Sequence, residues 1–319
     1  MQRRMTGTAA GPRETLTLLA SLVLVCAIPF CLAGCSIRKF AIGKLGDALS
    51  EAGTTYASDD DPELVRDALP FSLKMIESLL DQRPDHRGLL LAAASGFTQY
   101  AYAFVQQDAD EMEERDTRAA SALRVRARRL YLRAQRYGLR GLEIDHPGIS
   151  EALRARADAA ALSVDRKEEV PLLYWTAAAW GLAISLSKDD PEMVADLGAV
   201  DALIGRALEL DEGYDRGAIH EFLITYEGSR GAAMGGSEAR AREHFDRAVR
   251  LSEGGRAAPF VALAESVSVG NQNRAEFVSL LEQALAIDPD SKPEWRLANL
   301  VAQRRARWLL SRADDLFLE

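Results

Sequence analysis

The chain has 319 residues, 39 basic against 48 acidic side chains, and a net charge of −9. That length supports a sizeable core. The acidic balance excludes a general nucleic-acid binder and gives no charge-driven attraction to anionic membrane surfaces.

Taken in order, the chain opens with Arg3, Arg4 and Arg13, then an apolar run from Leu16 to Leu32. Leu32-Ala33-Gly34-Cys35 follows, with small residues just before a cysteine. This is the three-part layout of a secretory signal. Its last four residues fit a bacterial lipobox, in which Cys35 takes lipid and residues 1–34 are removed. The expected address is therefore the periplasmic side of a bacterial membrane. Ser36 after the cysteine points to the outer membrane. Cleavage would leave 285 residues, 36 basic and 47 acidic, with Cys35 as the last cysteine of three. The mature chain could then form no internal disulfide, and several acyl chains on Cys35 would anchor it where one would not.

Residues 35–60 read as the lipidated N-terminus and a tether helix: Ile37, Phe40, Ala41, Leu45, Ala48 and Leu49 recur at helical spacing. Residues 61–319 read as one helical domain. Asp59 to Pro62 is a helix start. Leu69, Leu73, Ile76 and Leu80 form the stripe of that helix, which Pro70 is expected to kink or divide. Leu89 to Val105 carries a seam of Leu90, Ala94, Phe97, Ala101 and Phe104, with small residues on its other sides. Its Thr98, Gln99, Tyr100 and Tyr102 either bond internally or line a cavity.

Asp108 to Glu143 is a long charged helix, expected to break near Thr117 and to end around Gly138 and Gly141. Its seven arginines from Arg124 to Arg140 read as a solvated face or as salt bridges to an acidic neighbour. Pro171 to Leu186, apolar nearly all round, is a second central helix holding Trp175 and Trp180. Further helices are expected over 191–210, 214–226, 237–251 (capped by Ser237), 259–269, 273–287 (an Asn273/Glu276 capping box) and 295–316. No strand pattern occurs; the fold class is all-α.

The helices come in pairs. Ala241, Phe245 and Ala248, then Phe277, Leu281, Ala284 and Pro289, follow the second helix of a tetratricopeptide repeat; Val200, Ile204 and Ala207, and Ala127, Tyr131 and Ala134, follow it loosely. Antiparallel pairs stacked as a tetratricopeptide-like superhelix or compact helical domain are therefore expected. His86, His146, His220 and His244 fall in no metal pattern: His220-Glu221 begins H-E-x-x-H, but Ile224 stands at the second ligand position. There is no nucleophile elbow and no Walker loop, so neither catalytic residues nor a metal or cofactor is expected beyond the lipid on Cys35.

Leu89–Ala109, Arg126–Glu143, Val170–Leu197, Gly217–Leu223, ARAREHFDRAV and EQALAIDPD resemble the T-component lipoproteins of TRAP (tripartite ATP-independent) transporters. The resemblance implies a non-enzymatic helical subunit that docks the periplasmic solute-binding protein. It also allows ligand handling in an internal cavity and a homo-oligomer. Tyr100, Tyr102, Trp175 and Trp180 are the candidate cavity-lining residues, since aromatic bodies with polar tips suit a mixed pocket. Two alternatives stand beside it: a tetratricopeptide-type scaffold lipoprotein for an envelope assembly complex, and an envelope hydrolase built on acidic residues converging in a cleft.

Overall fold

Helical spacing of apolar residues governs nearly every element of the chain, and the computed structural model describes residues 53–318. The lipobox, Cys35 and the tether helix lie outside the described residues. All regular structure among the described residues is helical. In order come α1 (Gly53–Ala57), α2 (Pro62–Leu80), α3 (Arg87–Tyr100), α4 (Gln107–Met112), α5 (Thr117–Glu143), α6 (Ile149–Ala155), α7 (Ala157–Leu162) and α8 (Val170–Ser185). They are followed by α9 (Pro191–Ala195), α10 (Leu197–Leu210), α11 (Ala218–Gly228), α12 (Glu238–Leu251), α13 (Ala258–Leu263), α14 (Arg274–Ala286), α15 (Arg296–Ser311) and α16 (Ala313–Leu316).

The starts are chemically specified. Asp61 accepts from the amides of Glu63 and Leu64, each at 3.0 Å, and opens α2. Asp116 accepts from the amide of Ala119 at 2.9 Å, which fixes the break before α5. Ser237 caps α12 through the amide of Arg240. Asn273 caps α14, but the reciprocal arm of the capping box is missing, because Glu276 turns to Arg242 and Ser268 instead.

Pro70 does not divide its helix. α2 runs through it, carrying Val65, Leu73, Ile76, Leu79 and Leu80 into the core. A mid-helix proline costs roughly 3 kcal/mol, whereas five buried aliphatic side chains contribute roughly 1.5–3 kcal/mol each. Gly138 and Gly141 do not end α5 either. A Cβ at Gly138 would lie 2.1 Å from Thr176 Oγ1, and one at Gly141 would lie 2.6 Å from Leu172 Cδ2. The two glycines instead let α5 and α8 approach closely. Other expected helices are interrupted: 191–210 divides at Asp196, and 295–316 divides at Arg312. In 214–226, a short turn of Tyr214–Arg216 precedes α11.

The apolar seam over 89–105 and the helix over 259–269 share one deviation. Each continues into a π-helical segment, Ala101–Gln106 and Ala264–Ser268. The amide of Gln107 reaches back to the carbonyl of Tyr102, and that of Val269 to Ala264, a span of five residues in each case.

Consecutive long helices pack on one another: α3 against α5, α5 against α8, α8 against α10, α11 against α12, and α13 against α14. The alanines at 127, 134, 207, 241, 248 and 284 are all buried at these contacts. The last long helix returns to the first ones. Arg296 Nη1 donates to the carbonyl of Ser58 at 2.7 Å, and Arg304 pairs with Asp108 at 2.8 Å and Glu111 at 2.7 Å.

Candidate functional site

The two π segments bring their residues to one place. A π turn inserts a residue into the helical register and re-aims its side chains, which is why such turns recur at functional positions. The first delivers Tyr102 and the second Glu265. Arg305 of α15 joins them. Its Nε lies 3.2 Å from Glu265 Oε2, its Nη2 also contacts Glu265, and its Nη1 reaches Asp110 Oδ2 at 2.9 Å. Tyr102 keeps 38% of its surface open. Burial nonetheless pushes its phenol up to about 12; Arg305 opposes this, and Glu265, Glu221 and Asp110 reinforce it. Tyr102 is thus partly exposed and lies in the field of charged side chains from four other elements.

A second cluster adjoins it through Glu221. Asp215 and Arg216 both adopt positive φ, 40° and 52°, and Gly217 follows at 103°. Left-handed backbone at non-glycine residues costs on the order of 1–3 kcal/mol each and collects at sites that use the geometry. Here the turn clasps Arg256: Nη1 donates to the Asp215 carbonyl at 2.7 Å and to its carboxylate at 3.1 Å. Arg256 Nε lies 3.4 Å from Glu221 Oε2, an oxygen that is buried and accepts no hydrogen bond. Burial raises the Glu221 carboxyl, against the pull of Arg256. Tyr174 stacks edge-on with Trp175 at 5.0 Å and tilts against Tyr214 at 5.4 Å. Burial, with Glu221 next, holds the Tyr174 hydroxyl well above its ordinary value. Tyr214 is pushed up to about 12 by burial and then by Asp215.

The four expected aromatic residues therefore part company. Tyr102 and Trp175 stand at the polar clusters. Tyr100 is almost buried against Phe104, its hydroxyl accepting from Arg126 at 3.3 Å. Trp180 has no exposed surface and packs in the apolar core, its indole N–H donating to Asp196 at 3.2 Å. Thr98 bonds back to the Ala94 carbonyl at 2.7 Å. Sequence reading missed Tyr174, Tyr214, Glu221, Arg256, Glu265 and Arg305. One signal was present for Arg305: it interrupts the apolar face formed by Ala302, Ala306 and Leu309, all buried.

Two buried polar pairings lie outside these clusters. His220 and His244 meet Nδ1 to Nδ1 at 2.9 Å, with Glu212 3.3 Å from His220 Nε2. Burial, then the neighbouring His244, lowers His220 to about 4. Glu169 is fully buried and bonds His146 Nε2 at 2.8 Å, with Arg87 and Arg166 beside it. Its burial is outweighed by Arg166, His146 and Arg87, which bring it to about 2.

Among the described residues no group of three or more His, Cys, Asp or Glu is placed to hold a metal ion. The central clusters offer hydrogen bonds of both senses and aromatic faces. Such a surface suits reversible contact with a small polar molecule.

Comparison with known proteins agrees over almost this whole body. The profile of the family described as TRAP transporter T-component matches residues 58–317. An uncharacterized protein of Treponema pallidum (strain Nichols) is 32% identical over 318 residues, covering 93% of this chain and 98% of that protein.

Proposed function

The chain belongs to the TRAP transporter T-component family, and from that membership we propose that it is a lipid-anchored accessory subunit that docks the periplasmic solute-binding protein and handles its ligand. The match across 58–317 carries the reading, since a helical fold by itself licenses no function. The paired helices are read as tetratricopeptide-type units closed by α15. The surface of Tyr102, Tyr174, Trp175 and Glu221 is the place where a solute would be held. The subunit acts without catalysis, by holding its partner at the membrane. Cys35 supplies the anchor, on the periplasmic face and with the outer membrane as its expected site.

The direct test is co-purification of the full-length protein from detergent-solubilised membranes after crosslinking. Recovery of the solute-binding subunit is expected; its consistent absence would overturn the docking reading and favour an envelope scaffold. Cys35→Ala is expected to release the protein from membranes under a salt wash, and retention in the membrane pellet would refute the lipid anchor. Tyr102→Phe and Glu221→Gln separate ligand handling from docking: solute binding is expected to weaken while partner recovery stays unchanged.

A further inference from the structure

We infer that the outward face of α5, with Arg118, Arg129 and Arg136 set around Val125, is the docking surface for an acidic patch on the solute-binding subunit; this rests on the docking role proposed above. The spacing of these four residues is 7, 4 and 7, which places them on one side of a helix. The face extends about 27 Å at 1.5 Å per residue. The opposite side, with Ala120, Ala127, Tyr131 and Ala134, is buried.

What distinguishes this face is the company its arginines keep. Arg124 pairs with Asp110 and Glu113, Arg128 with Asp190, and Arg133 with Glu77. Arg126 bonds the Tyr100 hydroxyl, and Arg140 the Pro84 carbonyl. Arg118, Arg129 and Arg136 are exposed and have no ion pair or hydrogen-bonded partner for their guanidinium groups among the described residues. No acidic residue occurs from Thr117 to Leu142. Val125, 48% exposed, lies between the charges, with exposed Ala122 beside it. Arginines around an apolar centre form a surface that association can desolvate and pair at once.

Charge complementarity selects the occupant. The protein as a whole carries −9, so an acidic partner meets net repulsion from the body and local attraction along this stripe. That arrangement fixes orientation and speeds encounter. A protein patch can be confined to the width of one helix. An anionic bilayer is a plane, and it would also meet Glu114 and Asp116 at the start of the helix, both exposed.

The test is titration of the full-length lipoprotein in detergent with the solute-binding subunit of the same transporter. Affinity is expected to fall about tenfold between low and physiological salt. Arg118→Glu/Arg129→Glu/Arg136→Glu is expected to weaken binding by about thirtyfold or more, Val125→Asp by less, with thermal unfolding unchanged. The triple glutamine variant is the second measurement should the reversed charges impair folding. Arg156→Glu/Arg250→Glu/Arg307→Glu makes the same charge change at exposed positions on other elements and is expected to bind as the wild type does. Wild-type affinity in the α5 variants would overturn the inference and leave docking intact, as would equal losses in the control. If the wild type binds vesicles containing phosphatidylglycerol and not the subunit, both the inference and the docking reading fall.

Discussion

The contact between α5 and α8 and the seam where α15 returns to α2 and α4 bury similar helices by opposite means. At the first, Gly138 and Gly141 admit Thr176 and Leu172, and nothing larger than a hydrogen fits. At the second, arginines interleave with carboxylates: Arg304 with Asp108 and Glu111, Arg305 with Asp110 and Glu265, Arg312 with Glu114. A contact set by size has one solution for its shape. One set by charge offers polar groups that a partner or solute can also engage, and Tyr102 opens beside it. The apolar contact fixes the frame, and the charged seam closes the chain while leaving chemistry accessible.

Breaking the seam should have the largest effect. Arg305→Ala leaves Asp110 and Glu265 without their shared cation and is expected to cost about 3 kcal/mol, measured by chemical denaturation. Arg305→Met keeps most of the side-chain volume and drops the charge, so it is expected to be destabilised as well; wild-type stability there would show that packing, and not charge, holds the seam.

Next comes the frame. Gly138→Ala is expected to destabilise by about 2 kcal/mol through overpacking, and Thr176→Ala in the same chain should recover part of it. Absence of any recovery would mean that the steric limit lies elsewhere. This variant should respond little to salt, in contrast to the seam variant.

A smaller effect is expected from pH alone. His220 has a folded value near 4 against an ordinary 6.5, so the unfolded chain binds the proton more readily between these values. Its contribution is complete above about pH 6.5 and is lost as pH falls towards 4. Glu169, also depressed, adds a second decline from about 4.5 towards 2. His220→Phe should reduce the first decline, to which His244, also lowered by burial, contributes, and leave the second. The smallest change is Gln107→Met. Gln107 is 1% exposed, and neither end of its amide is hydrogen-bonded to a described residue. Thermal unfolding should show a gain below about 1 kcal/mol, and a loss would assign the amide a partner.

Much of the frame was legible in the chain. Periodicity located α2, α3, α8, α12 and α14, because burial of one apolar face imposes a repeat of 3 and 4. Asp61 and Ser237 mark starts, because unpaired amides need a nearby acceptor. The site was legible only in part. Tyr102 and Trp175 stood out as aromatic residues in apolar helices, but Trp180 has the same signature and lies sealed in the core. Glycine spacing was ambiguous too: at Gly138 a helix end and a close helix contact are written with the same residue.

The sequence by itself determined an all-helical, acidic body with paired elements, since local spacing, caps and composition act over a few residues. It also carried the family pattern that the comparison matches over 58–317. Only the tertiary structure decided which arginines are spent inside and which face out, because an ion pair between Arg305 and Asp110 joins residues 195 positions apart. The same holds for the π turns that aim Tyr102 and Glu265 at one another's neighbourhood, and for the strained turn that clasps Arg256. Those depend on contacts between distant segments, for which local periodicity carries no record.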